Sequence, residues 1–241
     1  MKYAIVGDIH SNIEALGEVI SDAKNKGVKE FICVGDIVGY GPNPEKCYSK
    51  LCDLGCICIA GNHDYAVCKM TDTINFNEVA NKAIEWTREV LPKKAISFLG
   101  NLEYSMEFDD FAIVHSSFFF PEKWGYVFTI QEAFLNFQIQ NTEIAFIGHS
   151  HVPGIFISYN NMIQSYNPAN IVIEDDRKYL INVGSVGQPR DNNPLACYVI
   201  FDSDRRTVEF RRVSYNIDRT KEKIMRVGLP EFLAQRLTWG R

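Results

Sequence analysis

Tyr3-Ala4-Ile5-Val6-Gly7-Asp8-Ile9-His10 begins as an apolar run and ends on a carboxylate and an imidazole two residues apart. An unbroken apolar run of this length reads as a strand buried on both faces. The same pattern recurs along the chain. Residues 30–34 (EFICV) lead into Gly35-Asp36, and residues 56–60 (CICIA) into Gly61-Asn62-His63-Asp64. Residues 111–115 (FAIVH) end on His115, and residues 143–147 (EIAFI) lead into Gly148-His149-Ser150-His151. The sequence holds 5 histidines, and all of them lie in these stretches. Histidines used for ordinary packing would be scattered. Here each stands just past a strand, beside a carboxylate, an amide or another imidazole, which is a donor set suited to Mn, Fe, Ni, Zn or Co.

The segments between these strands are helical. Asn12 can cap a helix over 13–26, with Ile13, Leu16, Val19, Ile20 and Ala23 on one face and Gly27 as its stop. A second helix, over 44–54, starts at Pro44, a favoured first position. The order β-α-β-α-β implies a parallel sheet covered on both faces. Helices follow over 76–90, with Val79, Ala83, Trp86 and Val90 on one face, and over 92–99. Further on come a strand at 103–107, an aromatic loop at 118–126 and a helix over 129–140. The last third reads mostly as strands, at 154–158, 162–166, 170–174, 178–183, 196–202 and 206–213, and ends in helices over 217–226 and 230–237. No repeat, low-complexity stretch or linker interrupts this order, so one domain over 1–241 is expected.

Composition narrows the class. Hydrophobic residues make up 46% of 241, enough for a sizeable core. The net charge of −5 argues against dedicated nucleic-acid binding, which wants a basic face. No apolar run approaches the roughly 18 residues a membrane span needs. The first strand starts almost at Met1, which leaves no room for a signal peptide, and a cytoplasmic location is expected. The 7 cysteines are odd in number and contain no Cys-x-x-Cys pair. They read as reduced, mostly buried thiols rather than a zinc site.

Side chains at the carboxyl ends of parallel strands converge on one crevice. Asp8, His10, Asp36, Asn62, His115, His149 and His151 all have that position. Asp36 stands alone after its strand and is the natural bridge between two ions. Seven ligands with one shared supply four to each, and leave open positions for water and phosphate oxygens.

The ordered set GDIH, GD, GNHD, H and GHSH closely resembles the calcineurin-like metallophosphoesterases, over residues 4 to about 191. The phrases GDIVGYGPNP, NVGSVGQPRD and GLPEFLAQRLTWGR look like the compact bacterial and archaeal branch. The resemblance implies a four-layer α-β-β-α sandwich of two packed mixed sheets flanked by helices. It implies a first metal on Asp8, His10, Asp36 and His151, and a second on Asp36, Asn62, His115 and His149. His63 would then be catalytic, protonating the leaving oxygen or stabilising the phosphoryl charge, with Asp64 to orient it. The alternative for Asp64 is a helix cap. Two positions depart from many relatives: Gly39 stands where they carry an acid, and Ser116 where they carry glycine.

The activity implied is hydrolysis of phosphodiester, phosphomonoester or phosphoanhydride bonds by metal-activated water, with manganese expected to serve. Nucleotides, including dinucleoside polyphosphates, are one substrate class to expect; a non-catalytic metal-holding scaffold of the same fold is the alternative. Among weaker candidates, Ser185 and Arg190 could contact phosphate, or form only an inter-strand turn with a surface Arg. Tyr40 could line the pocket or pack its loop. The cluster Phe118, Phe119, Phe120, Trp124 and Tyr126 could cap the core, form a homodimer contact, or stack a nucleobase through Phe119 and Trp124.

Overall fold

The computed structural model describes residues 1–160 and 162–241. Its elements run β1 (Lys2–Val6), α1 (Ile13–Asn25), β2 (Glu30–Cys33), α2 (Pro44–Asp53), β3 (Ile57–Cys58), α3 (Asn62–Val67), α4 (Glu78–Val90) and α5 (Lys93–Gly100). They continue with β4 (Ser105–Glu107), β5 (Phe111–Val114), α6 (Ile130–Ile139), β6 (Ile144–Ile147), β7 (Gly154–Tyr159), β8 (Met162–Tyr166), β9 (Ile171–Val172) and β10 (Lys178–Asn182). The chain closes with β11 (Ala196–Asp202), β12 (Thr207–Val213), α7 (Ile217–Arg226) and α8 (Glu231–Trp239).

The strands form two six-stranded sheets, ordered β3-β2-β1-β11-β12-β9 and β4-β5-β6-β10-β7-β8. In the first, β1, β2 and β3 are parallel, joined by helical crossovers, and β11 is antiparallel to β1. In the second, β5, β6 and β10 are parallel, with antiparallel strands on both sides. Both sheets are mixed, as the resemblance implied.

Alternation along each strand builds the four layers. Ile5 of β1 and Ile32 of β2 face the second sheet and pack with Ile113, Phe146 and Ile181. Ala4, Val6 and Cys33 face the other way, onto Leu16 and Val19 of α1. Ala112, Ala145 and Leu180 of the second sheet turn outward onto Ala133 and Phe137 of α6. A strand buried on both faces needs no polar face, which is why the first strands read as unbroken apolar runs.

Local signals account for most helix ends. Asn12 accepts a hydrogen bond from the Ala15 amide and caps α1. Two expectations are corrected. The run 56–60 keeps ladder pairing only at Ile57–Cys58, because the Ala60 amide donates to the Glu103 carbonyl instead. The buried face of α4 is Ala80, Ala83, Ile84 and Thr87, with Val90 exposed. This face is rotated because α4 packs on two sides, with Ile84 against the core beside α1 and Ala80 and Ala83 against Leu233 and Leu237 of α8. All seven cysteines are free thiols. Among the described residues, no helix is long and apolar enough to cross a membrane.

Candidate metal centre and cleft

The loops after β1, β2, β3, β5 and β6 meet at one end of the two sheets. They bring all seven ligand candidates together, each buried. Two groups form. Ligand atoms of Asp8, His10, Asp36 and His151 lie within 4.8 Å of one another, as do those of Asp36, His115 and His149. Asp36 belongs to both. Its Oδ2 is 3.5 Å from His10 Nε2 on one side and 3.4 Å from His115 Nε2 on the other. Asn62 Oδ1 lies 3.3 Å from His115 Nε2, on the second group's side.

The imidazoles are fixed for ligation. His10 Nδ1–H donates to the Val38 carbonyl at 3.1 Å, His115 Nδ1–H to Val34 at 2.8 Å, and His151 Nδ1–H to Gln188 at 2.6 Å. A carbonyl can only accept, so each of these Nδ1 atoms carries a proton and each Nε2 is the nitrogen turned inward. The Nε2 atoms of His10 and His151 face each other at 3.0 Å. Burial lowers both rings below the ordinary histidine range, so a proton is a poor bridge between them. His149 Nε2 is buried with no partner. Two facing lone pairs and an orphaned nitrogen beside two carboxylates fit divalent cations.

The backbone carries strain to achieve this. Asp8, His10, Asp36, His149 and His151 have φ of 51°, 46°, 55°, 67° and 60°. The left-handed region costs a non-glycine residue roughly 1–2 kcal/mol. Five of the seven ligand candidates bear that cost.

Among the protein groups alone, burial tends to raise the Asp36 carboxyl, but the imidazoles of His115, His63 and His10 hold it well below the carboxylate range. Burial tends to lower His115, but Asp36 and Asp8 outweigh it and push the ring up to about 9. An ion on His115 Nε2 must displace that proton, so ion binding is coupled to pH.

His63 belongs to neither ligand group. It sits at the start of α3, a short helix the motif concealed. Its amide donates to Asp36 Oδ1 at 2.9 Å, and its ring packs between Tyr40 (4.4 Å between centroids) and Phe76 (5.0 Å). Nδ1 is buried without a partner, which leaves Nε2 as the nitrogen open to the cleft. Burial, partly opposed by Asp36, lowers the ring to about 4. Asp64 does not orient it. The Asp64 carboxylate accepts from the amides of Gly61 (3.0 Å), Val38 (3.1 Å) and Ile37 (3.2 Å), so it caps α3 and pins the loop after Asp36. Burial and the Asp36 charge push its carboxyl up to about 7. Gly39 explains its own departure: at φ +92°, a Cβ there would stand 2.5 Å from His63 Nδ1.

The centre opens into a cleft of about 570 Å³. Tyr40, Arg190 and Trp124 line it. Ser185 does not: its hydroxyl donates to the Asp8 carbonyl (2.8 Å), accepts from the Gln188 amide (2.8 Å) and is fully buried. The aromatic cluster divides three ways. Phe118 packs on the core beside α6. Phe119 and Phe120 pair with each other and point to solvent, so Phe119 is no part of the cleft. Trp124 and Tyr126 turn inward. Trp124 Nε1 donates to Thr71 Oγ1 (3.2 Å), and Tyr126 stacks on His149 at 4.2 Å. Among the cleft residues that went unmarked are Phe76, and Phe232 and Arg236 of α8. In sequence, Arg236 looks like any solvated helical arginine.

Comparison with known proteins agrees with this architecture. A model of the calcineurin-like phosphoesterase superfamily domain matches residues 1–206. An uncharacterized protein of Methanocaldococcus jannaschii is 39% identical over 99% of this chain and 98% of its own length. A metallophosphoesterase from Sphaerobacter thermophilus superimposes with a TM-score of 0.87 at 36% identity, covering 100% of this chain and 99% of its own. A hypothetical protein from Pyrococcus horikoshii OT3 shares the fold at TM-score 0.82 and 18% identity, over 100% and 98% of the two chains.

Proposed function

The chain belongs to the calcineurin-like phosphoesterase superfamily, and on that premise we propose that it is a dinuclear metal-dependent hydrolase of phosphate ester or anhydride bonds, acting on nucleotides. The observation that carries the reading is the pair of ligand groups sharing Asp36. Asp8, His10, Asp36 and His151 would hold one ion, and Asp36, Asn62, His115 and His149 the other. The nitrogen and oxygen donors suit manganese among the candidates. When bound, two such cations lower the pKa of water and neutralise charge on phosphoryl oxygens.

The chain's own groups do the rest. His63 Nε2 faces the cleft and delivers a proton to the leaving oxygen, while Tyr40 and Phe76 hold its ring in place. Burial holds the free ring at about 4 even with Asp36 beside it, so His63 takes up its proton only as the phosphate anion enters the cleft. Arg190 lines the Tyr40 side of the cleft, held by Gln188, and supplies a cation for the phosphate-bearing substrate. Trp124, in the cleft wall, is the ring on which a nucleobase stacks. A scaffold that only held metal would have no use for an imidazole open to the cleft, which favours catalysis.

Chelation is expected to abolish turnover of bis-p-nitrophenyl phosphate, and added Mn²⁺ to restore it. Trp124→Ala is expected to raise the KM for a nucleotide substrate. Full turnover by chelated protein would overturn the metal reading, and an unchanged nucleotide KM in the Trp124 variant would overturn the stacking role.

A further inference from the structure

We propose that Arg236 of α8 completes, with Arg190, a second anion subsite in the cleft, which holds a phosphoryl group of the substrate other than the one attacked. The subsite presupposes the phosphoesterase reading and narrows it to substrates carrying at least two phosphoryl groups.

Both guanidinium groups line the cleft that holds His63, His149 and His151. Among the described residues, neither makes an ion pair, although six other arginines do. Even Asp191, the immediate neighbour of Arg190, is taken by Arg212. Arg190 lies over the Tyr40 ring at 5.7 Å and donates from Nη2 to Gln188 Oε1 at 3.0 Å, while its Nε is buried with no acceptor. Arg236 lies over the Phe232 ring at 5.3 Å and donates from Nε to the Arg241 carbonyl.

Two half-buried cations with no side-chain counter-charge raise the energy of the folded protein unless an anion joins them. Burial and the nearby Arg190 lower the Arg236 guanidinium to about 10, which is the electrostatic trace of that crowding. The other charged lining residues beyond the ligand groups, Asp72, Glu122 and Lys123, are exposed and better screened.

The side-chain choice also points to phosphate. A guanidinium presents a planar fork that matches two phosphoryl oxygens at once. Tyr40 sets the spacing: its ring lies against both His10 and His63, with Arg190 on it, so Arg190 stands one ring's width out from the centre. A phosphoryl group held there belongs to the same molecule as the one at the ions but is not the one attacked. The position of Arg236 is built in. Leu233, Ala234 and Leu237 of α8 pack with Ala80 and Ala83 of α4, which fixes the helix as a wall of the cleft. That helix lies beyond residues 1–206, the part of the chain that the superfamily model matches.

The test is calorimetric titration of metal-stripped protein with inorganic pyrophosphate, where the arginines act without ions. Wild type is expected to bind, and Arg236→Gln to weaken binding about 10–100-fold, the scale of one charged hydrogen-bonded contact. Arg236→Lys keeps the charge and is expected to retain binding to within about 10-fold. Equal affinity in wild type and Arg236→Gln, or no binding by wild type, would overturn the subsite. A loss in Arg236→Gln accompanied by a lowered thermal unfolding midpoint would do so too, because it would trace the effect to α8 packing. In Mn²⁺-loaded protein, Arg236→Gln should shift the ratio of KM for a dinucleoside polyphosphate to KM for bis-p-nitrophenyl phosphate by at least about 10-fold. An unmoved ratio would count against it. Wild-type turnover of the bis ester tests the underlying reading separately, so the two can fail independently.

Discussion

His63 and the four other imidazoles share one sequence pattern and separate only by what their rings touch. His10, His115 and His151 each spend Nδ1 on a carbonyl and turn Nε2 inward, whereas His63 buries Nδ1 against Gly39 and opens Nε2 to the cleft. His63→Gln should therefore lower kcat by about 10²–10⁴-fold with metal content unchanged. Comparing p-nitrophenyl with alkyl esters checks the role, because a good leaving group needs less protonation; equal losses would argue against an acid. Gly39→Ala tests the support behind that ring. It places a Cβ on His63 at a left-handed φ and should cost about 1–2 kcal/mol in thermal unfolding as well as kcat; wild-type kcat would show that the ring need not be braced. Ligand identity was legible here because each motif pairs a strand end with a donor. Asp64, Ser185 and Arg236 were not, because capping a helix, buttressing a loop and lining a cleft leave the same letters in the sequence.

Elements that meet across long sequence distances were harder to foresee. Strand and helix existence followed from periodicity, but the rotation of α4 depends on α8, roughly 150 residues later, and no local pattern carries that contact. The tie between α1 and the last two strands is of the same kind. Arg211 Nη2 and Nε donate to Asp22 Oδ1 (2.9 Å) and Oδ2 (3.0 Å), and Tyr198 Oη donates to Oδ2 (2.7 Å). The bond from Arg211 holds the Asp22 carboxyl below its ordinary 3.8. A carboxyl depressed in the folded state stabilises it fully above the unfolded pKa, and that stability is lost as pH falls through the folded value. Asp22→Asn should destabilise the protein by about 1–2 kcal/mol at neutral pH, allowing for partial exposure, and the gap to wild type should shrink below about pH 4. A gap that stays constant from neutral pH to pH 3 would remove Asp22 from the account.

At the scale of the molecule, two sheets are stacked so that loops from both end at one place. The β-α-β-α-β start announced the first three parallel strands. It could not announce that β11 would insert beside β1, since that pairing joins strands about 190 residues apart. The four-layer arrangement became readable only through the whole ordered set of motifs. Once the sheets are stacked, Asp36 from the first and His115 and His149 from the second come within reach of one ion, while His10 and Asp8 share the other with His151 across the same seam. The measurement that bears most directly on this is metal content per chain, by elemental analysis, in wild type and Asp36→Asn. Asp36 is the one side chain in both groups, so wild type should carry two ions and the variant should lose most of both, with its fold intact by circular dichroism. Two ions still bound in folded Asp36→Asn would contradict the shared-carboxylate centre.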